Sequence, residues 1–183
     1  MRSIIKFSKI EIRDLIKAWL AISIAFGIVL RIESGFLFSF LLAGVTVGVG
    51  FLLHELGHKF VAQRYGYWAE FRSFDKMLLL AIVMSFFGFV LAAPGAVIFK
   101  SSTYQKDKVG KIGVAGPVIN IILALLFLFI PGLFGQYGFR INAWLALFNM
   151  IPFGMFDGAK ILKWNKFVYF SVTLLAFFLV FFV

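Results

Sequence analysis

The 183-residue sequence has no cysteine, 2 histidines and 4 prolines, and only 14% of its residues are charged. Without cysteine there is no disulfide and no thiolate ligand, so any zinc site must be built from His, Asp and Glu. Soluble domains carry about 25% charged residues, so so little charge excludes an ordinary water-soluble globule. Acids are scarce too, 8 against 18 Lys and Arg, which leaves a net charge of +10. In a soluble chain that excess would suggest nucleic acid. Here the basic residues fall in the gaps between apolar runs, as the positive-inside rule requires. Anionic lipid headgroups are therefore the expected partner, and nucleic acid is not. The opening stretch lacks the h-region and small-residue cleavage site of a signal peptide.

What is present is apolar: 62% of the residues are hydrophobic, and 26 are Phe. The fold class expected is an all-α polytopic membrane protein with about five to six transmembrane helices and a small membrane-embedded re-entrant or β element. No repeat is visible, and no stretch is long and polar enough for a separate soluble domain. Residues 1–183 thus read as a single membrane-embedded domain with its core at 36–163. Residues 1–17 read as a basic surface segment on the cytoplasmic face. Leu15 to Ile32 is just long enough for a first span. Phe36 to Leu53 is a second, and its Gly44, Gly48 and Gly50 suit close helix packing. Tyr65-Gly66-Tyr67-Trp68 suits a membrane interface, and 69–76 alternates loosely, as a short strand would.

Met77 to Phe99 is uncharged, so hydropathy makes it a span. Pro94-Gly95 amid β-formers, and the lysines at 100, 106, 108 and 111 that follow, argue instead for re-entry on one side: a short helix, then a hairpin. Ile112 to Ile130 reads as a span, Pro131 to Arg140 as a Gly-rich outer turn, Ile141 to Phe153 as a returning span, and Phe167 to Val183 as a last one.

Both histidines lie in His54-Glu55-Leu56-Gly57-His58. On a helix, positions four apart share a face, so both imidazoles can hold one metal ion, and Glu55 is placed to act as a general base on water. A catalytic zinc wants a third protein ligand. Asp157 is the leading candidate, because it lies beside an apolar run between Phe156 and Gly158. The alternative is that Asp157 caps the helix through Lys160 and Lys163. Glu11, Asp14, Glu33, Glu70, Asp75 and Asp107 read as ordinary solvated charges.

With His54, Glu55 and His58 in place, a second motif follows: Asn149, Pro152, Asp157 and Gly158, spaced Asn-x-x-Pro-x-x-x-x-Asp-Gly. A weaker third is Gly116-Pro117-Val118-Ile119-Asn120. In these motifs and their order the chain resembles the site-2 proteases, zinc intramembrane metalloproteases, over roughly residues 40–163. The resemblance implies one Zn2+ per chain bound by His54, His58 and Asp157, with Glu55 as the base. It also implies that Asn149 handles substrate and that strands lie in the membrane between the His motif and the Gly-Pro helix. Asn120 would either stabilise an oxyanion or make an interhelical hydrogen bond. No PDZ or nucleotide-sensing domain of the kind some relatives carry is expected from this sequence, and Gly154 stands where the second motif is often richer in proline.

The function expected is zinc-dependent endopeptidase action on transmembrane segments of membrane proteins, that is, regulated intramembrane proteolysis. Water would reach the site from the cytoplasmic side of the cell membrane. The substrate helix would unwind locally, and the re-entrant segment would accept it by edge pairing. The competing reading is a zinc-holding membrane scaffold without catalysis, against which an intact Glu55 argues. A zinc transporter is weaker, since the ligands cluster at one depth. Substrate identity, trigger and oligomeric state have no signature in the sequence.

Overall fold

The computed structural model describes residues 6–30, 35–90, 93–100 and 105–183. Among these residues, eight α-helices and two strands follow in the order α1 (Lys9–Leu30), α2 (Phe36–Ala43), α3 (Val49–Arg64), β1 (Trp68–Ser73), α4 (Asp75–Ser85), β2 (Gly95–Lys100), α5 (Lys106–Phe127), α6 (Gly132–Asn149), α7 (Asp157–Trp164) and α8 (Lys166–Phe182). Among the described residues, two helices are long and apolar enough to cross a membrane: the continuous rod Phe36–Arg64 and α5. Within that rod, Gly44–Gly48 forms a π-helical turn joining α2 to α3. At the first residue of that turn, Gly44 O accepts from the Val49 N–H and also from the Trp19 indole, the latter at 3.0 Å.

Helix α5 is the hub, packing against α3, α6, α7 and α8. One core cluster joins α1, the α2–α3 rod, β1 and α4, through Ala18, Ile22, Ala43, Val47, Phe51, Phe71 and Leu78. A second joins α5, α6 and α8 through Ile121, Ala124, Phe127, Phe139, Ala143, Ala176 and Leu179. The buried residues are mostly small or polar, whereas Phe87, Phe129, Phe167, Leu174 and Phe182 are exposed. That distribution is inverted relative to a soluble domain.

The strands pair antiparallel, with Phe71 opposite Val97 and Ser73 opposite Gly95. The expected hairpin at Pro94-Gly95 is therefore not there. Gly95 opens a strand that pairs back across α4 to β1, because a side chain at 95 would strike Arg72 O and the Phe71 ring. The expected short helix before it is α4. The Gly-rich outer turn is also revised, since Gly132 to Arg140 is already helical. Gly135 and Gly138 let that helix close on Ile130 O and the Phe127 ring.

The largest correction concerns the acids of α1, expected to be solvated. Glu11 is fully buried and Asp14 nearly so. They face the outer edge of β1, where Glu11 Oε1 accepts from Phe71 N–H at 2.9 Å and Asp14 Oδ2 from Ser73 N–H at 3.4 Å. A sheet edge leaves alternate N–H groups unpaired, and carboxylates on a neighbouring helix satisfy them. Glu11 also pairs with Lys59, itself fully buried, and the Lys59 ammonium lies 3.5 Å from the centre of the Phe7 ring. Glu70 is half-buried and paired with Arg72, Asp75 and Asp107 are exposed as expected, and Glu33 lies outside the described residues.

Removing one partner of a buried ion pair strands the other charge, at a cost of about 3–5 kcal/mol. Glu11→Ala and Lys59→Met are each expected to lower stability by about that much in denaturant unfolding in detergent. The pair Glu11→Gln with Lys59→Met is expected to recover part of it. A loss no larger than that of the exposed Asp75→Asn would refute the role of the pair.

Candidate metal centre

The helical spacing of four residues places His54 and His58 on one face of α3, both buried. Their Nε2 atoms are 3.0 Å apart. Asp157, the first residue of α7, brings Oδ2 to 3.2 Å from His54 Nε2 and 2.9 Å from His58 Nε2. The residue at the N-cap of α7 is Phe156, which makes no side-chain capping bond, and the Asp157 carboxylate is turned to the two imidazoles. Its other oxygen, Oδ1, accepts from Lys160 Nζ at 2.8 Å. The three residues are the one group of candidate ligands among the described residues that can share a metal ion.

The hydrogen bonds behind the rings test whether the cluster fits a cation. His58 Nδ1 lies 2.7 Å from Ile112 O, and His54 Nδ1 lies 2.6 Å from Asn120 Oδ1. Both partners accept, so both Nδ1 atoms carry the hydrogen, and in the neutral ring Nε2 bears a lone pair. Two such lone pairs and a carboxylate oxygen converge within about 3 Å, a repulsive arrangement that a divalent cation resolves. The donor set N, N, O also suits zinc.

Helix α5 makes the space. A Cβ at Gly116 would lie 2.5 Å from His54 Nε2 and 2.6 Å from Cε1 of both His54 and His58. Gly113 faces Lys160 and the backbone of Asp157 more loosely, a Cβ there lying 3.2 Å from the Lys160 Cβ and 3.6 Å from Asp157 O. The glycine of Gly116-Pro117 thus lets α5 lie directly against the two imidazoles.

Glu55 is buried, and its Oε2 accepts from Val97 N–H at 2.8 Å, on the edge of β2 turned away from β1. The sequence alone gives no sign of that contact. Asn120 is not placed as an oxyanion donor. Its amide nitrogen is committed to Gly50 O at 3.2 Å and Asn142 Oδ1 at 2.9 Å, which makes it an interhelical and ring-holding group. Asn149 ends α6 half-buried, and its amide donates to Leu145 O at 2.9 Å within its own helix. Sequence reasoning missed Lys160 as the partner of Asp157, and it missed Asn142. A lone amide in an apolar run was the available signal for Asn142.

A helical protein with this triad has the constitution of a zinc hydrolase, and comparison with known proteins agrees. A Methanocaldococcus jannaschii protein provisionally named zinc metalloprotease MJ0611 is 40% identical over 182 residues, covering 94% of this chain and 93% of its own. Zinc metalloprotease MJ0392 of the same organism is 29% identical over 128 residues, 65% of this chain and 32% of its own. The Bacillus subtilis protein YwhC, also provisionally named a zinc metalloprotease, is 26% identical over 149 residues, 65% of this chain and 66% of its own. No model of a known protein family and no solved structure matches the chain. The chain belongs to this family of zinc metalloproteases, and its cofactor is a single zinc ion.

Gly116→Ala is expected to abolish stoichiometric zinc binding while leaving the helical content intact, measured by elemental analysis and circular dichroism of purified protein. One zinc per chain in that variant would contradict the packing described.

Proposed function

We propose that the protein is an intramembrane endopeptidase of the site-2 protease kind, cutting peptide bonds in transmembrane segments. One observation carries the reading: Glu55 follows a zinc ligand in sequence and grips, through its carboxylate, the free edge of a two-stranded sheet. Base, metal site and a place for an extended peptide are thereby linked.

The inverted burial supports a lipid surround, because apolar side chains facing lipid cost nothing and small or polar residues mediate helix contacts. In the proposed topology α1, the α2–α3 rod, α5, α6 and α8 cross, giving five spans, and α4 with β2 re-enters between them. The exposed lysines at 163 and 166 then mark the cytoplasmic side near the site and meet anionic headgroups.

In the reaction, the β1 edge is already closed by Glu11 and Asp14, so an unwound substrate pairs with β2. Its carbonyl takes the Val97 N–H, and Glu55 is released to act as base. His54, His58 and Asp157 would hold the zinc ion, which would supply Lewis acidity for the scissile carbonyl and for a water molecule. Glu55 takes a proton from the water, whose oxygen bonds to the carbonyl carbon. Glu55 then delivers that proton to the leaving nitrogen as the C–N bond breaks. The half-buried Asn149, at the end of α6, is the proposed further contact to substrate.

The test is cleavage of single-span peptides in detergent with zinc quantified. Wild type and Glu55→Gln should both hold one zinc, with cleavage lost by about 10²–10⁴-fold in the variant. Cleavage by neither, with zinc in both across a broad panel, would favour a zinc-holding scaffold. Val97→Pro removes an N–H the β1 ladder does not use, so sheet and zinc should survive while cleavage is lost. Undiminished cleavage by Val97→Pro would remove the edge-pairing step.

A further inference from the structure

Two amides in the interior serve neither as ligand nor as base. Asn120 on α5 and Asn142 on α6 are both fully buried, and they join α3, α5 and α6 at one point. Asn142 belongs to none of the three motifs. We infer that Asn142 is a positioning residue of the zinc centre: through Asn120 it holds His54 with its proton on Nδ1 and its Nε2 lone pair turned to the metal. The inference rests on the zinc site and not on intramembrane proteolysis.

The argument is one of hydrogen-bond direction, which a side-chain amide leaves ambiguous until its neighbours are fixed. Two backbone carbonyls fix them here. Gly138 O can only accept, so the atom of Asn142 2.9 Å from it is the amide nitrogen. Asn142 Oδ1 therefore faces Asn120, and the Asn120 atom 2.9 Å away is a donor. Gly50 O, 3.2 Å from the same Asn120 atom, requires a donor there independently. With both its hydrogens placed, Asn120 presents only its carbonyl to His54, 2.6 Å from Nδ1. Nδ1 must donate, and Nε2 is left for the metal.

The space for this relay is specific. A Cβ on Gly50 would collide with the Asn142 amide, so α3 carries a glycine where the amide passes. The two metal-binding rings are also held differently. His58 leans on a main-chain carbonyl, Ile112 O, which no substitution removes, while His54 depends on two side chains in series. A perturbation at 142 should reach His54 and spare His58.

The bland explanation is that two asparagines merely bind helices together in lipid. That role and a positioning role predict different things of Asn142→Leu and Asn142→Asp. Leucine keeps the branched shape and loses the acceptor. A protonated aspartic acid accepts from Asn120 and donates to Gly138 O, reproducing both bonds.

The experiment is zinc competition against a chelator on the full chain in detergent, with 15N-histidine spectra of the same samples. The chain has 2 His, so only two imidazoles appear. In the zinc-loaded wild type, His54 should show a protonated Nδ1 and a metal-shifted Nε2. Asn142→Leu should weaken zinc binding by about 10-fold or more, the range for outer-shell partners. It should move the His54 signals and leave those of His58. Asn142→Asp should bind zinc more tightly than Asn142→Leu. A lowered melting temperature in Asn142→Leu with wild-type zinc affinity and unmoved His54 signals would overturn the proposal. So would a wild-type His54 whose Nδ1 lacks a proton. If Asn142→Asp fails to fold, the wild-type and Asn142→Leu spectra still decide.

Discussion

Nε2 of His54, Nε2 of His58 and Oδ2 of Asp157 stand at the corners of a triangle with sides of 3.0, 3.2 and 2.9 Å. Hydrogen bonds behind the rings place both imidazole protons on the far side, so the triangle encloses lone pairs and a negative charge. Such a cluster is stable around a cation and strained without one. Much of the surrounding structure follows from it. Gly116 gives α5 room to pass the rings, Ile112 O and Asn120 keep the Nδ1 protons, and Lys160 holds the carboxylate oxygen not turned to the triangle. Asp157 thereby keeps one oxygen for the metal ion it would hold, while the other is paired with the Lys160 ammonium.

The same rule of partnership runs through the interior. Lys59, immediately after His58, is fully buried, and it is matched by Glu11, which also closes a strand N–H. Asp14 closes the next one. The first helix thus acts as a lid on one sheet edge and leaves the other, at Val97, to Glu55. A charge removed anywhere in this set strands another in a medium that cannot solvate it.

The ligand set was legible because helical spacing and a motif place His54 and His58 together, and because an aspartate beside an apolar run needs a partner. The long apolar helices were legible for the same periodic reasons. The rest was hidden by geometry between distant segments. Sequence alone gives Glu11 and Asp14 basic neighbours and hence a solvated look; only the pairing of β1 with α1 shows what they bond. Pro94-Gly95 carries the chemistry of a turn, yet close approach to Phe71 is what the glycine serves. Gly132, Gly135 and Gly138 read as a loop locally, whereas helix contact with Phe127 overrides that preference. Asn142 gives no sign of a role in its apolar run; only Asn120 and Gly50 opposite it supply one.

The most direct test of the centre is the zinc X-ray absorption spectrum of the purified chain. The structure predicts two imidazole nitrogens and carboxylate oxygen in the first coordination sphere, without sulfur. One imidazole or none would contradict the assignment of His54 and His58 to a shared ion, and with it the account of how α5 and α7 are built around them.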